Sequence, residues 1–175
     1  RDRPNSVFGR VDRNQSTGAL DYKALYLKLE KRYSRRTQAL VSYTYTRSDD
    51  NNLLGRYLDP FDLGLDWGPS SGERRHAIIA SGSVLLPGDV TLGAIWSWRS
   101  ELPWSATAGR DLNGDGFNTD LVPGTTRNAG GRTLDLATVN AYRASQGLDP
   151  IAEGQIDSSR INMLDMRASK DINLG

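Results

Sequence analysis

Residues 110–121, RDLNGDGFNTDL, place Asp111, Asn113 and Asp115 at alternate positions and follow them with Gly116. Hard oxygen donors at positions 1, 3 and 5 and a glycine at 6 are how an EF-hand calcium loop begins; the carbonyl of residue 7, here Phe117, is the next donor. Val122 stands where the closing bidentate glutamate belongs. Asp120, two residues earlier, is the expected substitute. The expected calcium ligands are therefore Asp111, Asn113, Asp115, Phe117 and Asp120, in a loop between strands rather than helices. Their role would be to neutralise clustered carboxylates and stiffen an exposed loop. The competing reading is a metal-free turn, because Asn and Asp side chains bond neighbouring backbone without an ion.

Other stretches offer less chemistry. GPSSG (68–72) satisfies G-x-S-x-G, the serine nucleophile elbow, which needs a strand before it and a helix after it. Here a loop containing Pro69 precedes it and a strand follows. The single histidine, His76, is too near in sequence to be an easy triad partner, and no enzyme is expected. His76 has no companion Cys or second His for a metal site and reads as a strand-end residue near a membrane interface. Lys28, Glu30 and Arg32, with Asp165 and Arg167, suggest either a substrate path or charge pairs on a solvated barrel wall. Trp96 and Trp98 suit sugar stacking, although an interfacial girdle needs fewer assumptions.

Composition narrows what could position these groups. Hydrophobic residues are 37% and mean hydropathy is −0.55, poor for a soluble core. Four Trp, seven Tyr and 18 Gly with a net charge of only +1 do not describe a disordered chain either. No face is basic enough to call for nucleic acid. Without cysteine there is no disulfide or thiolate site, and no run of about 18 apolar residues forms a membrane helix. The chain begins at Arg1 without Met or signal sequence, as a processed product or fragment would.

The dominant period is two. In residues 22–33, Leu25, Leu27 and Leu29 share a face. In 37–48, Ala39, Val41, Tyr43 and Tyr45 do, after a tight SRR turn. Strand character returns at 75–86, breaks at PGD (87–89), and resumes at 90–101, where Val90, Leu92, Ala94, Trp96 and Trp98 alternate with polar residues except at Ile95. A last strand over 160–172 sets Leu164, Met166 and Ala168 against Asp165, Arg167 and Ser169. Long polar loops fill 49–73 and 103–158, with a short helix expected in 135–148. Runs of 11 to 13 residues exceed the ~5–6 common in soluble sheets and suit tilted membrane strands. Short turns at one end, long loops at the other and aromatics toward the loop ends match a transmembrane β-barrel. A soluble antiparallel sheet with one buried face is the alternative.

Several stretches in order resemble the C-terminal part of the barrel of TonB-dependent outer-membrane receptors, particularly the Oar-like branch. They are FGRVDRNQSTGALDYKALYLKLEKRYSRRTQALVSYTYTRSDDN, DWGPSSGERRHAIIASGSVLLP, GRDLNGDGFNTD, NAYRASQGL and INMLDMRASKDINLG. The resemblance implies a 22-stranded barrel that imports or binds large solutes at the bacterial outer membrane. Such a receptor is several times longer, with a plug and a TonB-contacting segment that these 175 residues lack.

The expectation is thus an all-β, antiparallel, long-stranded sheet over residues 1–175, a segment of an outer-membrane barrel with calcium in an external loop. Five or six strands fall short of the eight that the smallest closed barrel needs, and open edges cannot sit in lipid. The partners would be outer-membrane lipid and either the rest of a larger barrel or further copies, with the solute unknown. Leu25, Leu27, Leu29, Val41, Leu92 and Leu164 would face lipid. The competing expectation is a structural subunit of a calcium-stabilised extracellular or surface filament, with the same residues buried against protein.

Overall fold

The computed structural model describes residues 16–51, 57–59, 62–156, 159–170 and 172. Of the stretches carrying the resemblance, residues 8–15, 171 and 173–175 lie outside them, as do 52–56 and 60–61 of loop 49–73 and 157–158 of loop 103–158. The elements are β1 (Leu20–Ser34), β2 (Thr37–Asp50), the two-residue β3 (Gly68–Pro69), β4 (His76–Leu86), β5 (Val90–Arg99), α1 (Leu136–Ser145) and β6 (Ile161–Lys170). The strands form one sheet in the order β1-β2-β4-β5-β6, with β3 paired to β2. Each recorded pairing is antiparallel. The sheet is mostly antiparallel and does not close on itself.

Very short turns join the long strands. Arg35 and Arg36 alone link β1 to β2, both in the left-handed region (φ 50 and 63), the conformation of a two-residue hairpin turn whose twist suits the strands it joins. Pro87, Gly88 and Asp89 link β4 to β5, with φ 82 at Gly88 and 58 at Asp89.

The chain divides into two compact units. One comprises 23–47, 73–102 and 158–175; the other comprises 1–22, 48–72 and 103–157. In the first, register decides which side chains share a face. Val41 stands opposite Ala80, Ala80 opposite Trp96, and Trp96 opposite Leu164. Leu92 stands between Val84 and Ala168. The Asn51 amide donates to the Ala19 carbonyl (3.3 Å), which pairs odd-numbered residues of β1 with odd-numbered residues of β2 away from the turn, and Lys31 Nζ reaches Thr37 Oγ1; Leu25, Leu27 and Leu29 thereby fall on the face of Val41. All six leucine and valine positions expected to act together therefore lie on one side. None is covered: Leu29 is 73% exposed and Leu164 61%. Covering such a side chain is worth about 1.5–3 kcal/mol, so this face demands an apolar surrounding.

The second unit differs from its expected loop character. Its regular pieces are held by caps and bridges rather than by periodicity. Asp135 accepts from the Ala137 amide (2.9 Å) and from Thr138 Oγ1 (3.1 Å), starting α1; Gly147, at φ 71, follows its end. Val139 of α1 is buried with Ala106 and Val122, and Trp104, Leu134, Leu136 and Tyr142 pack around them. Trp104 bridges Gly130, and Thr107 bridges Leu121. A Cβ at Gly130 would lie 2.2 Å from the Trp104 indole, so only glycine fits. In 49–73, Asp62 caps a 3-10 turn at Leu63–Asp66, and β3 pairs Pro69 with Asp49 and Gly68 with Asp50.

Candidate functional site

The sheet's second face carries the hydroxyls and charges. Gln38 faces Ser83, Ser83 faces Gly93, and Gly93 faces Arg167. In the next row of that face, Leu40, Ser81, Ile95 and Asp165 stand opposite one another in turn. By the Ala19–Asn51 pairing, Lys28, Glu30 and Arg32 belong to this face as well. A cavity of about 510 Å3 touches every long strand from β1 to β6. Its long charged side chains include Lys28, Glu30, Arg32, Asp165 and Arg167. A cavity spanning a single sheet requires the sheet to curl, and the polar face lines its hollow. The two charge sets separated by more than 130 positions in sequence are thus gathered in one trough. Lys28 Nζ pairs with Glu30 Oε2 at 3.0 Å along one strand, rather than across strands.

Toward the ends remote from the short turns, the apolar face becomes aromatic. Tyr43 faces Ile78, which faces Trp98, and Tyr45 faces His76. The Tyr43 hydroxyl and His76 Nδ1 lie 2.8 Å apart. The His76 ring sits 6.1 Å from the Tyr43 ring, nearly parallel, and 5.4 Å from that of Tyr45. Trp96 Nε1 donates to Asn162 Oδ1 at 2.7 Å. Rings that are apolar in body and bonded at one polar point suit a membrane–water boundary. Ser70 of the elbow-like GPSSG is bonded instead to Ser48 (2.9 Å between hydroxyl oxygens).

The Asp111–Asp120 loop is closed by its own amides. Asp111 Oδ1 accepts from Gly114 (2.6 Å) and Asp115 (3.2 Å), and Oδ2 from Gly116 (2.8 Å). Asn113 Oδ1 accepts from Asp115 (2.9 Å), and Asp115 Oδ1 from Phe117 (2.8 Å). Asp120 Oδ2 takes the amides of Leu112 (2.5 Å) and Asn113 (3.1 Å). Asp120 thus folds back onto the turn, and Asn113 Nδ2 ties it to the Leu58 carbonyl (2.9 Å). The Gly116 amide above all, with those of Gly114, Asp115 and Asn113, holds the Asp111 carboxyl below its ordinary range against an opposing effect of burial. Among the described residues no three His, Cys, Asp or Glu side chains are grouped to hold a metal. An ion here would draw on the Asn113 amide oxygen and the Phe117 carbonyl as well as carboxylates.

Arg127 belongs to no motif of the sequence. It is buried, and its Nε donates to the Asp66 carbonyl at 2.6 Å. Nη2 donates to the carbonyls of Asp50 (2.7 Å) and Gly68 (3.1 Å) and pairs with the Asp50 carboxylate. Asp66 is fully buried, and its Oδ2 accepts from the Leu58 amide (3.0 Å). A Cβ on Gly68 would come within 2.5 Å of the Arg127 carbonyl oxygen. Asn128, at φ 54, donates to the Pro69 carbonyl at 2.6 Å. The only sequence signal was a lone arginine in a stretch, VPGTTRNAGG, with no acid to pair it.

No curated protein and no solved structure matches the chain. The family described as an outer membrane beta barrel domain matches it over residues 1–175. A curled antiparallel sheet with one apolar and one polar face, and aromatics banding the apolar one, is the local form such a wall takes. The chain belongs to the outer membrane beta barrel domain family, and its place is the bacterial outer membrane.

Proposed function

We propose that this chain is part of the wall of a larger, TonB-dependent receptor-like barrel that binds or takes up a solute, with calcium in an external Asp111–Asp120 loop. The ordered set of stretches from 8 to 175 supports the receptor assignment. Calcium is supported by the oxygen spacing and by the return of Asp120 to the turn. Lipid is the surrounding that the Leu25, Val41, Leu92 and Leu164 face calls for.

Strand parity carries the larger-barrel reading. Among the described residues five long strands alternate in direction, so β1 and β6 run the same way. Copies joined head to tail would meet in parallel, whereas bacterial barrels are antiparallel with an even strand number. An odd number of further strands, running opposite to both edges, completes such a wall. The filament reading needs copies to pair at these same edges, β1 against β1 and β6 against β6 where the pairing stays antiparallel.

Two measurements test this. Light scattering of the native particle with and without detergent, and with calcium chelated, should give a detergent-dependent particle containing more strands than one copy supplies. A detergent-free multimer that dissociates on chelation would establish the filament reading instead. Solute accumulation should then be compared in cells with and without the protein, with the inner membrane energised or not. Absence of any protein-dependent, energy-dependent accumulation would rule out uptake.

A further inference from the structure

We propose that the trough on the polar face is a subsite for a solute bearing oxyanions, carboxylate or phosphate, anchored by Arg167 and Arg32. This rests on the reading of the chain as a solute-handling barrel wall and names the class of solute. The charges of the polar face do not cancel. Lys28 is neutralised by Glu30 at 3.0 Å. Arg32, Arg167 and, farther along the same face, Arg99 make no hydrogen bond or ion pair among the described residues, and neither does Asp165. In the trough two unpaired guanidiniums, Arg32 and Arg167, therefore confront one unpaired carboxylate, Asp165.

The shape of the floor adds to the charge. Arg167 stands opposite Gly93, which stands opposite Ser83. In that row Ser83 and Gly93 are small, with Leu40 and Ile95 in the row beside them, and the hollow of about 510 Å3 opens above this floor. A guanidinium presents a planar fork that matches a carboxylate or phosphate with two parallel bonds. The outer strands are four spacings apart, about 19 Å along the sheet. A solute engaging both Arg32 and Arg167 therefore carries more than one oxyanion. Asp165, two residues from Arg167 on the same face, repels such a ligand and weakens its hold.

The test is calorimetric titration of the full-length protein in detergent micelles at low salt with citrate, inorganic phosphate and sucrose. Citrate or phosphate should bind and sucrose should not; which of the two binds tells carboxylate from phosphate recognition. Arg167→Gln and Arg32→Gln should each weaken citrate binding about tenfold or more, whereas phosphate, a single oxyanion, should respond to one of the two. Arg167→Lys should recover part of it, Asp165→Asn should strengthen it, and added salt should weaken it. Absence of binding by either anion, equal binding of sucrose, or indifference to both Arg→Gln changes would overturn the proposal. Anion-blind protein that still accumulates a solute in energised cells overturns this inference alone. Citrate binding without uptake overturns the transport reading and leaves the subsite standing.

Discussion

The two units of this protein treat burial in opposite ways. In the sheet, Leu25, Leu27, Leu29 and Met166 are all more than half exposed, although the strands are long and regular. In the unit of 48–72 and 103–157, with few regular elements, Ala106, Val122 and Val139 are buried together, and so are Arg127, Asp50 and Asp66. Regular hydrogen bonding does not imply a core, and irregular backbone does not imply the lack of one. The sheet satisfies the backbone between its strands, leaves β1 and β6 as open edges, and needs an apolar medium for one face. The irregular unit supplies its own interior and must satisfy each polar group it buries, one by one.

The comparison is broken most severely at Arg127. Arg127→Ala removes the hydrogen bonds Arg127 gives to the Asp50 carboxylate and to the Asp50, Asp66 and Gly68 carbonyls, at a cost of about 3–5 kcal/mol. Hydrogen exchange should then rise through 103–157 while the β-sheet circular dichroism is unchanged; simultaneous loss of both would deny the units their independence. Leu164→Arg attacks the other unit. A cation on a lipid-facing side costs about 2–4 kcal/mol near the bilayer centre, so the yield of protein folded into vesicles should fall, with the irregular unit's exchange pattern intact. Indifference of folding yield would mean that this face does not meet lipid.

Gly130→Ala should cost about 1–3 kcal/mol by overpacking, because the new methyl meets the Trp104 ring. Its readout is a change in tryptophan fluorescence and faster proteolysis within 103–157. Acid provides a gentler probe. Asp111 has its carboxyl held below the ordinary value, chiefly by the Gly116 amide. Its contribution is therefore complete above the unfolded-state value, about 3.9, and is lost as pH falls through the lower folded value. Amide exchange at 112–117 should quicken only in that acid window, and Asp111→Asn should remove the dependence. The smallest effect expected is at the β1–β2 turn. Replacing Arg35 and Arg36, both at positive φ, by Asn and Gly should raise stability by roughly 1 kcal/mol, read as a higher melting temperature of the sheet alone.

Particular residues mark how far the sequence could be read. The alternation at 25–29 and 39–45, the separation of Leu164 from Asp165, and the helix around Val139 were all legible, because each is written in neighbours two or four positions apart. Ile95, the exception in its strand, does fall on the polar face opposite Asp165. The Asp111 turn was legible as an oxygen-rich loop. The inner structure of 103–157 was not. It was read as irregular, yet Trp104 meets Gly130 and Val122 enters the core from the position where a calcium loop would end.

By itself, then, the sequence determined the strands, their two faces and the tight turns, since backbone period and side-chain direction are properties of adjacent residues. Only the tertiary structure decided that Lys28, Glu30 and Arg32 share a hollow with Asp165 and Arg167, and that Arg127 answers Asp50 across 77 positions. No local pattern encodes such meetings. They follow from strand register and from the requirement that a buried charge find its partner wherever the chain can bring one.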